Sequence, residues 1–235
     1  MSIGSNTADF YKFYGVPWRK IFHVPYAVNN AYFFEHSDKA SQYRKLLRTQ
    51  LELSDETILI LFVGKLISAK RPLDLLRAYE TASEKSNMAV VFVGDGNLRG
   101  ELEAYVNRRK LRNVSFAGFK NQTELPLYYS SADLLVLPSG FERWGLVVNE
   151  AMCFGLPIIA SSAVGAAKDL VRDGENGYVY DSGNTTMLAT CLLRLKESSI
   201  RNRMSRRSRE IISKWSYEED VIGILGALRG SHEQR

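Results

Sequence analysis

Glu142 and Glu150 stand eight positions apart, and between them runs Arg143-Trp144-Gly145-Leu146-Val147-Val148-Asn149. Gly145 falls where an apolar helical pattern begins. The free backbone N–H groups of Gly145, Leu146 and Val147 at such a helix start favour a phosphate. A second loop, Gly64-Lys65-Leu66-Ile67-Ser68-Ala69-Lys70-Arg71-Pro72, places three cations between an apolar run and the next helix. Gly64 lets a ligand approach the backbone. Lys65 and Lys70 can converge on a diphosphate, each charge-assisted hydrogen bond contributing about 1.5–3 kcal/mol. A carboxylate is a poor partner for a diphosphate but a good acceptor for sugar hydroxyls, because it can take two vicinal O–H donors. Taken singly, Glu150 reads as an ordinary helix-surface glutamate, Trp144 as a core aromatic and the lysines as a solvated loop. Taken together, cations for phosphate and carboxylates for hydroxyls make a coherent nucleotide-sugar site.

The elements that must position these residues are legible as a repeating pattern. Residues 58–64 (ILILFVG) are a β-branched and aromatic run that reads as a buried strand. The unit recurs as strand 88–93, helix 97–110, strand 113–117, helix 124–131, strand 133–138, helix 145–154, strand 157–160 and a last strand near Tyr178–Tyr180. Strands without alternating polarity, separated by helical patterns, indicate a parallel sheet covered on both faces. The expected fold is therefore α/β: a Rossmann-like, doubly wound parallel sheet of about six strands joined by right-handed crossovers. Ligands bind such a sheet beyond the carboxyl ends of its strands, which selects the loops 64–71, 94–97, 118–123 and 138–145. Ahead of it, residues 5–14 read as a helix, 21–24 as a strand, the stretch after Pro25–Tyr26 as irregular, and 38–51 as a charged amphipathic helix. Two or three helices follow the sheet, to about residue 229.

Several chemistries are excluded or disfavoured. Gly94-Asp95-Gly96-Asn97-Leu98-Arg99-Gly100 has the wrong glycine spacing for a dinucleotide fingerprint. The place for the ribose-binding acid holds Ala117-Gly118-Phe119-Lys120 instead. His23, His36 and His232 are scattered without ligand spacing, and no D-x-D occurs, so no metal cofactor is expected. No G-x-S-x-G nucleophile elbow exists. Cys153 and Cys191 lie in apolar helical patterns and read as reduced, buried thiols. No apolar run reaches membrane-spanning length, and residues 1–15 lack the basic start and apolar stretch of a secretory leader. The net charge of +5 is matched by residues 201–214 alone, where six basic residues meet one acid. That surplus reads as one solvated helix face, with contact to an anionic membrane as the alternative. Zinc spacings and aromatic RNA-binding strands are missing, so no nucleic-acid partner is expected.

Ser139-x-x-Glu142-x-Trp144-Gly145-Leu146-Val147-Val148-Asn149-Glu150-Ala151-Met152 resembles the E-x7-E signature of retaining GT-B glycosyltransferases of family 4 (glycosyl transferases group 1). The order of Val63-Gly64-Lys65-x4-Lys70, Val93-Gly94-Asp95-Gly96, Phe116-x-Gly118, Gly155-x-Pro157-Ile158-Ile159-Ala160-Ser161, Gly165 and Asp173-Gly174-x-Asn176-Gly177 extends the resemblance over residues 1–228. It implies that Lys65 and Lys70 bind a donor pyrophosphate and that the Gly145–Val147 amides hold its distal phosphate. It further implies that Glu150 binds the ribose, Glu142 faces the donor sugar in the catalytic role, and the loop at Gly118–Lys120 receives the base. Two departures are visible. Lys65 stands where the family more often has Arg, losing the bidentate fork, and Arg143-Trp144 replaces the commoner Gly-Phe.

The resemblance also implies a domain plan. Residues 1–33 would be a remnant of an N-terminal domain and its crossover, 34–182 the nucleotide-sugar-binding domain, and 183–235 helices packing back toward the N-terminal side. The acceptor site would belong to an N-terminal domain, supplied in cis or by a separate chain. The expected function is transfer of a hexose from a UDP-, GDP- or ADP-linked donor to an acceptor hydroxyl with retention. A non-catalytic nucleotide-sugar-binding fragment is the alternative. The expected location is cytoplasmic, or peripheral at the inner membrane face.

Overall fold

The computed structural model describes residues 1–84 and 86–232. Its centre is a six-stranded sheet in the order β3-β2-β1-β4-β5-β6. The strands are β1 (Ile58–Val63), β2 (Met88–Val93), β3 (Val114–Gly118), β4 (Leu134–Leu137), β5 (Ile158–Ser161) and β6 (Gly177–Tyr180). Every pairing is parallel. Side chains alternate across a pleated strand, so each uniformly apolar strand feeds two cores. Leu59, Leu61, Val91, Leu135, Leu137 and Ile158 face one core. Ile58, Ile60, Phe62, Val90, Phe92, Val136 and Ile159 face the other.

The helices divide between these faces. The first face is covered by α2 (Asn30–Asp38), α3 (Ala40–Gln50), α6 (Leu125–Ser131), α7 (Leu146–Cys153) and α8 (Gly165–Leu170). The second is covered by α4 (Pro72–Ser83), α5 (Arg99–Arg109) and α9 (Thr185–Arg194). Local chemistry marks the ends. The Asn184 side chain accepts from the Met187 N–H to cap α9. Asn121 and Glu124 bond each other's backbone amides ahead of α6, as a capping box does. Cys153 and Cys191 are free and buried. Burial pushes their thiols up to about 12 and about 11.

The remaining helices are α1 (Ser5–Phe13), α10 (Ser198–Ile212) and α11 (Tyr217–His232). Arg207 of α10 pairs with Glu175 and Glu210. Arg201 caps α9 through the Leu195 and Lys196 carbonyls. The basic surplus of this helix is thus partly spent within the fold. No helix among the described residues is long and apolar enough to cross a membrane.

Two expectations for the first 50 residues are corrected. The segment after Pro25–Tyr26 is not irregular throughout: it contains α2, followed by α3 after a break at Lys39. The sequence NAYFFEHSD shows little amphipathic periodicity, and tertiary burial decides the matter. Phe33 is completely buried, and Tyr32 and Phe34 pack against the same core. Residues 21–24 do not form a strand but only a bridge between Ser2 and His23. The Phe22 carbonyl and the Val24 amide bond Ser2, and among the described residues no strand extends the ladder. α11 runs so close to this segment that a β-carbon on Gly223 would sit 1.9 Å from the His23 carbonyl oxygen.

Candidate functional site

The sheet order reverses direction between β1 and β4. The loop after β1 leads to α4 on one face, and the loop after β4 leads to α7 on the other. Such a switch point opens a crevice at the carboxyl ends of the strands. Both loops singled out in the sequence border it.

The crevice floor is backbone. Gly64 N–H bonds the Val93 carbonyl, Leu66 N–H bonds that of Asp95 at 2.9 Å, and Gly94 N–H bonds that of Gly118 at 2.8 Å. Gly94 sits at φ +137°, and a β-carbon there would lie 2.0 Å from the Gly64 carbonyl oxygen, so only glycine fits. The two walls are tied together as well, because the Ala69 carbonyl accepts from the Gly140 N–H at 2.8 Å. Arg71 has a left-handed backbone (φ 50°) that starts α4 at Pro72, and its Nε donates to the buried Asp74 at 2.5 Å.

These contacts bring Lys70 onto Glu142, with side chains only 21% and 16% exposed. Burial first, and the neighbouring Lys65 charge second, pull the Lys70 ammonium below the usual lysine range. Contact with the Glu142 carboxylate works the other way. Glu142 is held by its backbone: its N–H bonds the Ala163 carbonyl, and its own carbonyl accepts from Gly165. Lys65 is exposed and has no carboxylate partner among the described residues.

Gly145, at φ +99°, turns the chain into α7. The first internal bond of that turn runs from Val148 N–H to the Gly145 carbonyl at 2.9 Å. The Leu146 and Val147 amides find no backbone acceptor among the described residues, as expected at a helix start. Trp144 is buried. Its indole N–H donates to Asn149 at 2.9 Å, and its ring stacks on Trp215 with centroids 5.5 Å apart. It therefore offers the crevice ring surface and no donor.

Gly64, Lys65, Lys70, Glu142, Trp144, Gly145, Leu146 and Val147 line one cavity of about 390 Å³ together with Tyr26. Gly118 and Glu150 are not among its lining residues. Gly118 ends β3 beside a second cavity of about 310 Å³, which shares Gly64 and Lys65 with the first and is walled by Phe119, Lys120 and Leu125. Glu150 stands one turn beyond Leu146 and Val147 on α7, hence on the same side of the helix. Its Oε2 accepts the Tyr129 hydroxyl at 2.5 Å. Burial raises the Glu150 carboxyl above the usual range, and the Tyr129 bond opposes that rise.

A sequence model of the glycosyl transferases group 1 family matches residues 44–211. The chain belongs to that family. Its match spans every strand of the sheet and both crevice loops. Among curated relatives, the chain is 32% identical over 197 residues to a D-inositol 3-phosphate glycosyltransferase of Thermobifida fusca, covering 79% of this chain and 45% of that one. Against solved structures, it superposes on sucrose-phosphate synthase of Thermosynechococcus elongatus with a TM-score of 0.77 at 24% identity, covering 99% of this chain and 58% of the other. It also superposes on the C-terminal domain of a glycosyl transferase group 1 family protein of Francisella tularensis, with a TM-score of 0.63 at 25% identity, covering 67% of this chain and 85% of that domain. The chain spans about half the length of the curated relatives it matches.

Within this group 1 glycosyltransferase chain, the sequence reading gave Phe119 only as part of the loop expected to receive the base, and it overlooked Tyr26 and Tyr129. Phe119 presents a ring that is 77% exposed at the end of β3, and the signal was an aromatic directly after a strand-ending glycine. Tyr26 reaches the first cavity from outside the α/β repeat. Tyr129 supports Glu150 through a contact between α6 and α7 that no local pattern announces.

Proposed function

We propose that this chain supplies the donor-binding part of a retaining family 4 glycosyltransferase that moves a hexose from a nucleoside diphosphate to an acceptor hydroxyl. The observation that carries the reading is the convergence of Lys65, Lys70, Glu142 and the start of α7 on one cavity at the switch point. Lys65, Lys70 and the Leu146 and Val147 amides would take the diphosphate, stabilising the charge that develops on the leaving group. No metal is assigned, since two lysines already supply cationic charge there. The Lys70–Glu142 pair adds a condition. An incoming phosphate must share or take over Lys70, which turns the Glu142 carboxylate toward the sugar. The neighbouring cavity, with the exposed Phe119 ring and Lys120, suits a stacked base. In this reading Glu150 takes ribose hydroxyls.

The acceptor would be presented by another domain, in cis or as a separate chain. Phe10, Phe13 and Tyr14 in and after α1, and Val221, Ile222 and Leu228 of α11, are exposed apolar side chains that suit contact with such a domain. Their exposure also favours a second reading, in which the chain binds donor without turnover. Calorimetric titration with UDP, GDP and ADP and their glucose and mannose conjugates tests the site. Saturable binding of one base, weakened by Lys70→Ala and by Glu150→Ala, is expected; no binding of any overturns the reading. Release of free hexose from the bound donor would separate the catalytic reading from the binding one.

A further inference from the structure

Tyr129 is an unusual neighbour for a ligand-binding carboxylate because nothing about it faces solvent. Its side chain is completely buried. Its ring stacks on Phe154, with centroids 5.4 Å apart and an interplanar angle of 24°, and meets Phe33 edge-on at 6.4 Å. Those contacts come from α2 and from the end of α7, so the core fixes the direction of the phenolic O–H. A buried hydroxyl needs an acceptor, and this one donates to Glu150 Oε2 at 2.5 Å.

The consequence falls on Glu150. The terminal torsion of a glutamate is broad, with no sharp rotamer to hold the carboxylate plane. An unsupported Glu150 would therefore sample many orientations, and a ligand would have to order it on binding. With Oε2 held by a rigid donor, the plane is set before any ligand arrives. Oε1 makes no hydrogen bond among the described residues, so both of its lone-pair positions are left to accept hydroxyls, one turn beyond Leu146 and Val147 on α7.

Resting on the donor-binding reading above, we propose that Tyr129 is a positioning residue: it locks the Glu150 carboxylate so that Oε1 meets the ribose hydroxyls of a nucleoside diphosphate. Discrimination between ribose and deoxyribose is then a property of the Tyr129–Glu150 pair, set by a residue that never touches the nucleotide. Affinity for the diphosphate group is a property of the lysine loop and is independent of the pair.

The test compares the full chain with Tyr129→Phe and Glu150→Ala. Tyr129→Phe keeps the ring, its volume and its stacking and removes only the donor. Three ligands are titrated: the nucleoside diphosphate that binds, its 2′-deoxy counterpart, and inorganic pyrophosphate. The parent chain should favour the ribonucleotide about tenfold, the equivalent of one strong hydrogen bond. Tyr129→Phe should lower that preference at least about threefold, toward the value for Glu150→Ala, while pyrophosphate affinity stays constant. A preference kept by Tyr129→Phe and lost by Glu150→Ala overturns the role of Tyr129 and leaves the donor-binding reading standing. A parallel loss of pyrophosphate affinity shows general damage to the fold and also overturns it. A preference unchanged in Glu150→Ala, or no nucleotide bound by the parent, removes the donor-binding reading and this inference with it.

Discussion

The central strands β1 and β4 carry an ion cluster at each end, and the two are built for opposite purposes. At the amino end, Asp133 accepts from Arg44 at 2.9 Å, from Arg48 at 2.8 Å and from the Leu59 N–H at 2.8 Å. The buried Arg48 also donates to the Ser54 and Thr57 carbonyls. Apart from Arg48 Nε, this cluster closes on itself and joins α3 to the sheet. At the carboxyl end, Lys70 meets Glu142, while Lys65 is exposed and the Leu146 and Val147 amides find no backbone acceptor among the described residues. Cations and a carboxylate meet here too, but among the described residues no backbone carbonyl takes up the spare lysine donors. A closed cluster holds elements together; on the proposed reading, an anion completes the open one.

Separating stability from binding sharpens this contrast, and the largest effect belongs to the closed cluster. Loss of the buried Arg48 guanidinium would leave Asp133 with only Arg44 and the Leu59 N–H and would unpair the Ser54 and Thr57 carbonyls, which together costs about 3–5 kcal/mol. Arg48→Ala should therefore lower the unfolding free energy from urea titration by that amount, with nucleotide affinity of the folded fraction unchanged. A loss below about 1 kcal/mol would place this cluster in the weak surface class instead. Next come the lysines. Lys65→Ala and Lys70→Gln should each weaken nucleoside diphosphate binding about tenfold, or about 1.4 kcal/mol. Lys65→Ala, at an exposed position, should leave thermal stability within about 1 °C. Equal losses of stability and affinity would erase the distinction.

A smaller effect is expected at Glu150. Burial raises its pKa in the folded chain, so protonation favours folding. That contribution is fully present below the unfolded value of about 4.3 and is lost as pH rises through the higher folded value. Glu150→Gln should therefore melt about 1–3 °C above the parent at pH 7, with the gap closing in acid, while its ribonucleotide affinity falls. A gap that widens in acid would contradict the assigned direction. The smallest effect concerns metal. If lysines and amides neutralise the diphosphate, EDTA should change the dissociation constant by less than about twofold, and a large loss in calorimetry would call for a bound cation.

The parts of the molecule that were legible in the sequence are those whose instructions are local. ILILFV and MAVVFV are buried on both faces, so their uniform apolarity announced β1 and β2 without reference to anything else. Gly145 followed by an apolar helix announced the start of α7. The sheet-end position of both loops followed from their place directly after apolar strands. What was not legible depends on partners distant in sequence. α2 is stabilised by burial of Phe33 under α6 and α7, and residues 21–24 lack the partner strand that their composition invites. Lys70 and Glu142 read as separate groups, one for phosphate and one for sugar, because they stand 72 positions apart and become neighbours through tertiary contacts such as the Ala69–Gly140 tie. The Tyr129–Glu150 bond is hidden for the same reason.

Cys153 and Cys191 have a practical consequence. Attack on a maleimide needs thiolate at an accessible surface, and these two sulfurs are buried, with pKa values pushed up to about 12 and about 11. At neutral pH the chain therefore behaves toward such reagents as though it had no cysteine. A single Cys introduced at the exposed Phe119 or Phe141 would take a spin or fluorescence label alone. Loop movement around a bound nucleotide could then be followed without first redesigning the protein.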